Sequence, residues 1–154
     1  MAKVVTVAFE ESAEAKALRA SWGPGPWQSE PDRAEWTTEA GLPGLIVRNH
    51  MGALCGYVAV PPGHPLHGRD FGDLDLSCHG GLTYGAACRG DVCHKPAPGE
   101  PDNVWWFGFD CAHSRDLVPS FQVHFPMPVP VTYRDMAYVK GEVEELAVQL
   151  AALK

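Results

Sequence analysis

Sixteen glycines and fourteen prolines are spread through this 154-residue chain. Together they are about a fifth of the residues, against roughly an eighth in an average protein. Each costs a helix interior about 1 to 3 kcal/mol, so a long helical bundle is excluded. The other extreme is excluded as well, because 45% of the residues are hydrophobic and 20% charged, which is not a disordered composition. A chain of this length buries roughly two-thirds of the surface its unfolded form would expose. We therefore read residues 1–154 as a single domain.

Twelve Lys and Arg against 19 Asp and Glu give a net charge of −7. No stretch concentrates the basic residues, so the cationic face that nucleic acid requires is missing and no nucleic-acid partner is expected. Anionic membranes are disfavoured for the same reason. No apolar run approaches the ~20 residues that span a bilayer, and the start, Met1 to Val7, has no signal-peptide core. These features predict a protein of the cytoplasm that meets no membrane.

Five cysteines, an odd number without a signal peptide, argue for a reducing compartment and mostly free thiols. Cys55 sits in the apolar run Ala53 to Val58 and reads as a small core residue. Cys88 and Cys93, with His94 directly after, have three open readings: half of a zinc knuckle completed by Cys78 or Cys111, a reversible disulfide, or plain loop thiols.

Local patterns place the elements. Val4 to Phe9 is β-branched, and Glu10 to Ser21 has helical composition that ends before Gly23-Pro24-Gly25-Pro26. Residues 22–43 form a Trp- and Pro-rich arm whose indoles dock on the body. Leu45 to Arg48 and Leu54 to Val60 are strands joined by a turn at 49–52. A Pro-rich loop with His64 and His67 follows; their metal-like spacing is interrupted by Pro65, and loop surface is the reading. Leu74 to Cys78 alternates with period two, as a strand with one wet face does. A long Gly/Pro/Cys loop covers 85–103. Val104 to Phe109 is apolar on both faces, which suits a central strand, and Pro119 to Pro130 is a connector. Residues 132–154 read as the C-terminal helix, with Thr132 and Asp135 as a capping box. Its apolar stripe (Met136, Val139, Val143, Leu146, Leu150, Leu153) faces away from Glu142, Glu144 and Glu145. The stripe packs across the sheet, with a homodimer through this helix as the alternative use. The predicted class is α+β: a small, mostly antiparallel sheet, a long amphipathic C-terminal helix and extended Gly/Pro-rich loops.

Chemistry-bearing residues gather where two predicted strands end. One segment is Cys78 to Tyr84, in which Gly80 and Gly81 let the chain turn sharply after His79. The other is Phe107 to Asp116, in which Asp110, His113 and Asp116 share one face if Asp110 opens a helical turn. With the segments side by side, His79, Asp110 and His113 form a two-histidine, one-carboxylate set. Such a set suits a divalent metal, Zn, Mn or Fe, with open positions, and Asp116 orients His113 from outside it. The metal would acidify a bound water. Thr83 and Tyr84 are candidate hydrogen-bond partners for substrate. The structural alternative makes Asp110 a cap, His113 a satisfied imidazole and the Gly pair a tight turn. A Cys111 nucleophile with His79 as its base is a further arrangement.

The motifs Pro26-Trp27 with Glu30-Pro31, Cys55 to Val58, Gly63-His64-Pro65, His79 to Tyr84, Trp105 to His113 and Tyr133-Arg134-Asp135 run from about Gly25 to Leu150. On them the chain resembles a family of small uncharacterised proteins encoded by bacteria and their phages. The resemblance implies no activity and carries over no functional residues. Arg115 departs from it, standing where a small residue is expected and placing a bulky cation beside the site. Two function classes follow. One is a small hydrolase centred on His79, Asp110 and His113, acting on a small molecule and open to metal assistance. The other is a non-catalytic protein whose loops and tryptophans recognise a small molecule or a host protein.

Overall fold

Three consecutive runs of apolar residues build the centre of the fold. A computed structural model of the protein describes residues 4–6, 13–124 and 129–153. The predicted strand residues Val7 to Phe9, the helix residues Glu10 to Ser12, part of the Pro-rich connector (125–128) and Lys154 lie outside the described residues. Among the described residues six strands form one antiparallel sheet: β1 (Val4–Thr6), β2 (Arg33–Thr37), β3 (Pro43–Arg48), β4 (Leu54–Val60), β5 (Tyr84–Ala87) and β6 (Trp105–Asp110). Their order is β1-β2-β3-β4-β6-β5. Among the described residues three α-helices accompany them: α1 (Ala13–Ser21), α2 (Pro119–His124) and α3 (Met136–Ala151). The fold is α+β, with an antiparallel sheet and a long C-terminal helix.

Side chains alternate across the central strands and divide the core in two. Ile46, Leu54, Val58, Val60, Phe107 and Phe109 meet Val139, Val143, Leu146, Ala147 and Leu150 of α3 on one face. The helix crosses β3 and β4, and Gly56 of β4 lets it come close. A Cβ added there would lie 2.7 Å from Val143 and 2.5 Å from Phe109. The other face carries Leu45, Val47, Tyr57, Ala59 and Trp106. Strand β6 is interior, as its two apolar faces predict. Four of the six stripe residues, Val139, Val143, Leu146 and Leu150, are buried against the sheet, while Leu153 is exposed.

Several local expectations are corrected. The arm at 22–43 includes a strand, because Ala34 and Trp36 of β2 point into the core while Arg33 and Glu35 point away. Leu74 to Cys78 keeps its alternating burial but forms no strand. Gln149 of α3 takes up its backbone instead, accepting from Ser77 N at 2.8 Å and donating to Ser77 O at 2.7 Å. The 85–103 loop begins as β5, paired with β6. Helix α3 starts at Met136, because Asp135 is itself the cap and accepts from Tyr138 N at 2.8 Å. Thr132 instead bridges Asp116 in a parallel pair. Glu144 is not on a solvated face; it accepts from Trp36 Nε1 at 2.9 Å and from Glu39 N at 3.0 Å. Cys88 and Cys93 are paired in a disulfide, leaving Cys55, Cys78 and Cys111 as the free thiols among the described residues. This pairing replaces both the zinc-knuckle and the loop-thiol readings. Its short ring contributes about 2 kcal/mol by restricting the unfolded chain. Among the described residues no helix is long and apolar enough to cross a membrane.

The arm is fastened to α3 by charge. Glu30 accepts from Met136 N at 2.8 Å and from Tyr133 Oη at 2.7 Å. Arg48, whose side chain is 2% exposed, donates to Asp32 at 2.7 Å, to Tyr133 Oη at 2.8 Å and to Gly52 O at 2.9 Å. Asp32 also pairs with Arg19. Truncating one member of a buried charge network leaves the others unsatisfied. Arg48→Ala is therefore expected to cost about 3 to 5 kcal/mol, read as a lower urea midpoint at unchanged slope.

Candidate functional site

Strand β6 delivers its last residue, Asp110, to the end of the sheet, where it pairs with Cys55 of β4. The chain then turns back on itself through two carboxylates. Asp110 Oδ1 accepts from Ala112 N at 3.1 Å, and Asp116 Oδ2 accepts from His113 N at 3.0 Å. These bonds replace the expected helical turn, so Asp110, His113 and Asp116 do not share one helical face. The His79 turn lies against this one. Gly80 has φ +70°, and a Cβ on it would fall 2.0 Å from His113 Nε2. Only a glycine lets the two segments nest this closely.

The four site residues assemble as two imidazole–carboxylate pairs rather than as a metal-ligand set. His79 Nε2 lies 2.8 and 3.0 Å from the two oxygens of Asp116. Its Nδ1 is 2.9 Å from the hydroxyl of Tyr138 on α3. The tautomer that gives Nε2–H to Asp116 leaves Nδ1 to accept from the tyrosine hydroxyl. Asp116, 1% exposed at its side chain, also accepts from Arg134 Nε at 3.0 Å. Burial pushes its pKa up, but the donors His79, His113 N–H and Arg134 outweigh that and hold it below the ordinary value. The guanidinium of Arg134 stacks 4.8 Å from the Tyr138 ring centre.

The second pair is open. His113 Nε2 faces Asp110 Oδ1 at 3.5 Å, with both side chains about a third exposed. That nitrogen is enclosed and makes no hydrogen bond. Thr83 donates to the other oxygen of Asp110 at 3.2 Å. The two imidazoles lie 5.6 Å apart, centre to centre. Beside them is a cavity of about 260 Å³, lined by His113 and Asp116, by the polar Ser114 and Gln122, and by apolar Ala112, Val118 and Phe121.

The predicted roles are thus redistributed. Both nitrogens of His79 are occupied, and among the described residues no group of three His, Cys, Asp or Glu is placed to hold a metal ion. Asp116 orients His79 through its ring and His113 only through its backbone. Thr83 steadies Asp110, and Tyr84 packs edge-on against Tyr57 at 5.3 Å; neither lines the cavity. Cys111 is buried, and burial, with Asp116 next, drives its thiol pKa far upward, against a nucleophilic role. His64 and His67 bond separate carbonyls, Leu150 O and Asn103 O, each at 2.8 Å. Arg115 is exposed and does not line the cavity. Trp22, Trp27, Trp36 and Trp106 are at most 6% exposed, so these indoles form no recognition surface. Sequence reasoning missed Arg134 and Tyr138. Their signal was a cation and an aromatic with a polar tip at the helix start, one turn apart.

The structure defines an α+β protein with paired imidazole–carboxylate groups at one end of its sheet. The chain matches no protein-family model, and comparison with curated proteins and with solved structures gives no match.

Two outcomes follow. A carboxylate whose folded pKa is depressed contributes stability that is complete above its unfolded value, 3.8 for Asp116, and is lost as pH falls toward the folded one. The Tm deficit of Asp116→Asn is therefore expected to be full at pH 7 and to shrink below pH 3.8, followed by calorimetry. Gly80→Ala should cost about 1 to 2 kcal/mol for its left-handed backbone and displace the His113 ring, seen as shifted imidazole resonances in NMR.

Proposed function

We propose that this protein is a small hydrolase in which His113 is the general base. The observation that carries the reading is the open His113–Asp110 pair beside the cavity, with a partly exposed imidazole whose Nε2 lies 3.5 Å from the carboxylate. A base needs a carboxylate that holds the proton on the far nitrogen and leaves the near one free to accept, and Asp110, 3.5 Å from Nε2, takes that role by closing to hydrogen-bond distance when substrate binds. His113 Nδ1 takes a proton from water bound in the cleft, and the resulting hydroxide attacks the carbonyl carbon of an ester or amide. The proton then passes from Nδ1 to the departing alcohol or amine. His79 and Asp116 act as positioning residues that hold the turn carrying His113. Among the described residues the cavity lining contains no lysine or arginine, which favours an uncharged small molecule with an apolar portion against Val118 and Phe121.

Purified protein should hydrolyse short p-nitrophenyl esters. Loss of a general base typically lowers rate by about 10²- to 10⁴-fold, so His113→Ala should lower kcat by at least about a hundredfold at unchanged Tm. Asp110→Asn should lower it less, with KM little altered. Absence of wild-type turnover on a panel of esters and amides, or turnover that survives His113→Ala, overturns the assignment.

A further inference from the structure

The second apolar face of the sheet, away from α3, is covered in a different way. After β5 the chain leaves one edge of the sheet and crosses toward β2, near the other edge, before returning as β6. Arg33 of β2 grips this strap, donating to Asp91 O at 2.7 Å and to Cys93 O. Val92 packs on the cluster of Leu45, Tyr57, Ala59 and Trp106, and His94 stands edge-on to Trp106 at 5.2 Å. The docking is imperfect: His94 Nε2 and Trp106 Nε1 are both enclosed without a hydrogen-bond partner, which penalises the closed state. Within the strap the ladder is reduced to one isolated bridge, Arg89 with Val92. The Cys88–Cys93 disulfide closes that bridge into a ring, and Cys88 is exposed to solvent.

We propose that Cys88–Cys93 is a reducible clasp whose opening releases the strap and uncovers the second apolar face. The co-reactant is a dithiol. Its thiolate attacks Cys88 Sγ and expels Cys93 as a thiolate, which takes a proton because thiols titrate near 8.5. The second thiol of the reductant then displaces Cys88, so the dithiol becomes a disulfide and two electrons pass to the cysteine pair. Cys55 and Cys111 are buried and Cys78 is half-buried, so reagents reach this pair first. The clasp is independent of the hydrolase site and does not rest on that assignment.

Hydrogen–deuterium exchange of the full chain with and without dithiothreitol tests it, alongside iodoacetamide mass labelling. Reduction should add two alkyl groups, speed exchange of the 89–94 amides about tenfold or more, and raise binding of an apolar dye. Glutathione disulfide should reverse all three. Cys88→Ser/Cys93→Ser should exchange fast without reductant and respond to none; where that variant does not fold, the reductant titration of the wild type decides alone. Two alkyl groups with exchange within twofold of the oxidised protein would overturn the proposal, as would failure of the native protein to take up any label.

Discussion

A carboxylate withdrawn from water must be given its hydrogen-bond donors by the protein, and Asp116 draws them from three separate stretches of chain. His79 comes from the loop before β5, the His113 amide from the turn after β6, and Arg134 from the approach to α3. None of these stretches is held to the others by a strand ladder, apart from the single bridge between Asp116 and Thr132. Removing the charge would leave a guanidinium, an imidazole and an amide short of an acceptor in a place with little access to solvent. The depressed pKa of Asp116 expresses the same fact, because donors that favour the ionised form outweigh the burial that opposes it. The end of the sheet is organised around this one anion.

The two faces of the sheet rely on different forces. Helix α3 covers its face with a regular apolar stripe and is fastened along its length by Glu30, Trp36, Gln149 and His64. Burial of that stripe is non-directional and strong. The other face is closed by an irregular strap, too rich in Gly and Pro to form a helix. A strap of this kind needs point attachments, which Arg33 and the disulfide supply. The excess of glycine and proline that rules out a bundle therefore also dictates how the second face is covered.

Much of the architecture was legible in the sequence where burial is deep. Strands β3, β4 and β6 and helix α3 carry apolar residues at unambiguous periods, and their burial in the core follows. Strand β2 was hidden because only Ala34 and Trp36 face inward among charged neighbours, and β5 because Tyr-Gly-Ala-Ala has little strand character. Leu74 to Cys78 shows the converse: alternation reports which side is buried, but not whether a neighbouring backbone or a side-chain amide satisfies the chain. At the site, residue type and position at strand ends pointed to His79, Asp110, His113 and Asp116. Their pairing was not legible, since two carboxylates that each capture a nearby amide reshape the turn. Arg134 and Tyr138 reach the site from the start of α3, and their one-turn spacing shows that they share a face but not which loop that face meets.

The two imidazoles differ in how far the protein itself satisfies them. His79 has a buried carboxylate at one nitrogen and a tyrosine hydroxyl at the other, so its hydrogen-bonding capacity is spent within the protein. A group in that state organises structure, because reacting with a substrate would require it to abandon a partner. His113 has its carboxylate 3.5 Å away without a hydrogen bond, a partly exposed ring and a cavity alongside. The two rings are 5.6 Å apart and Asp116 bonds both segments, so tightening one pair orders the other. Rigid support behind a reactive group is what limits wasted motion at a site. An enclosed pair thus fixes the backbone of an open one: Asp116, bonded to His79, also holds the amide of His113.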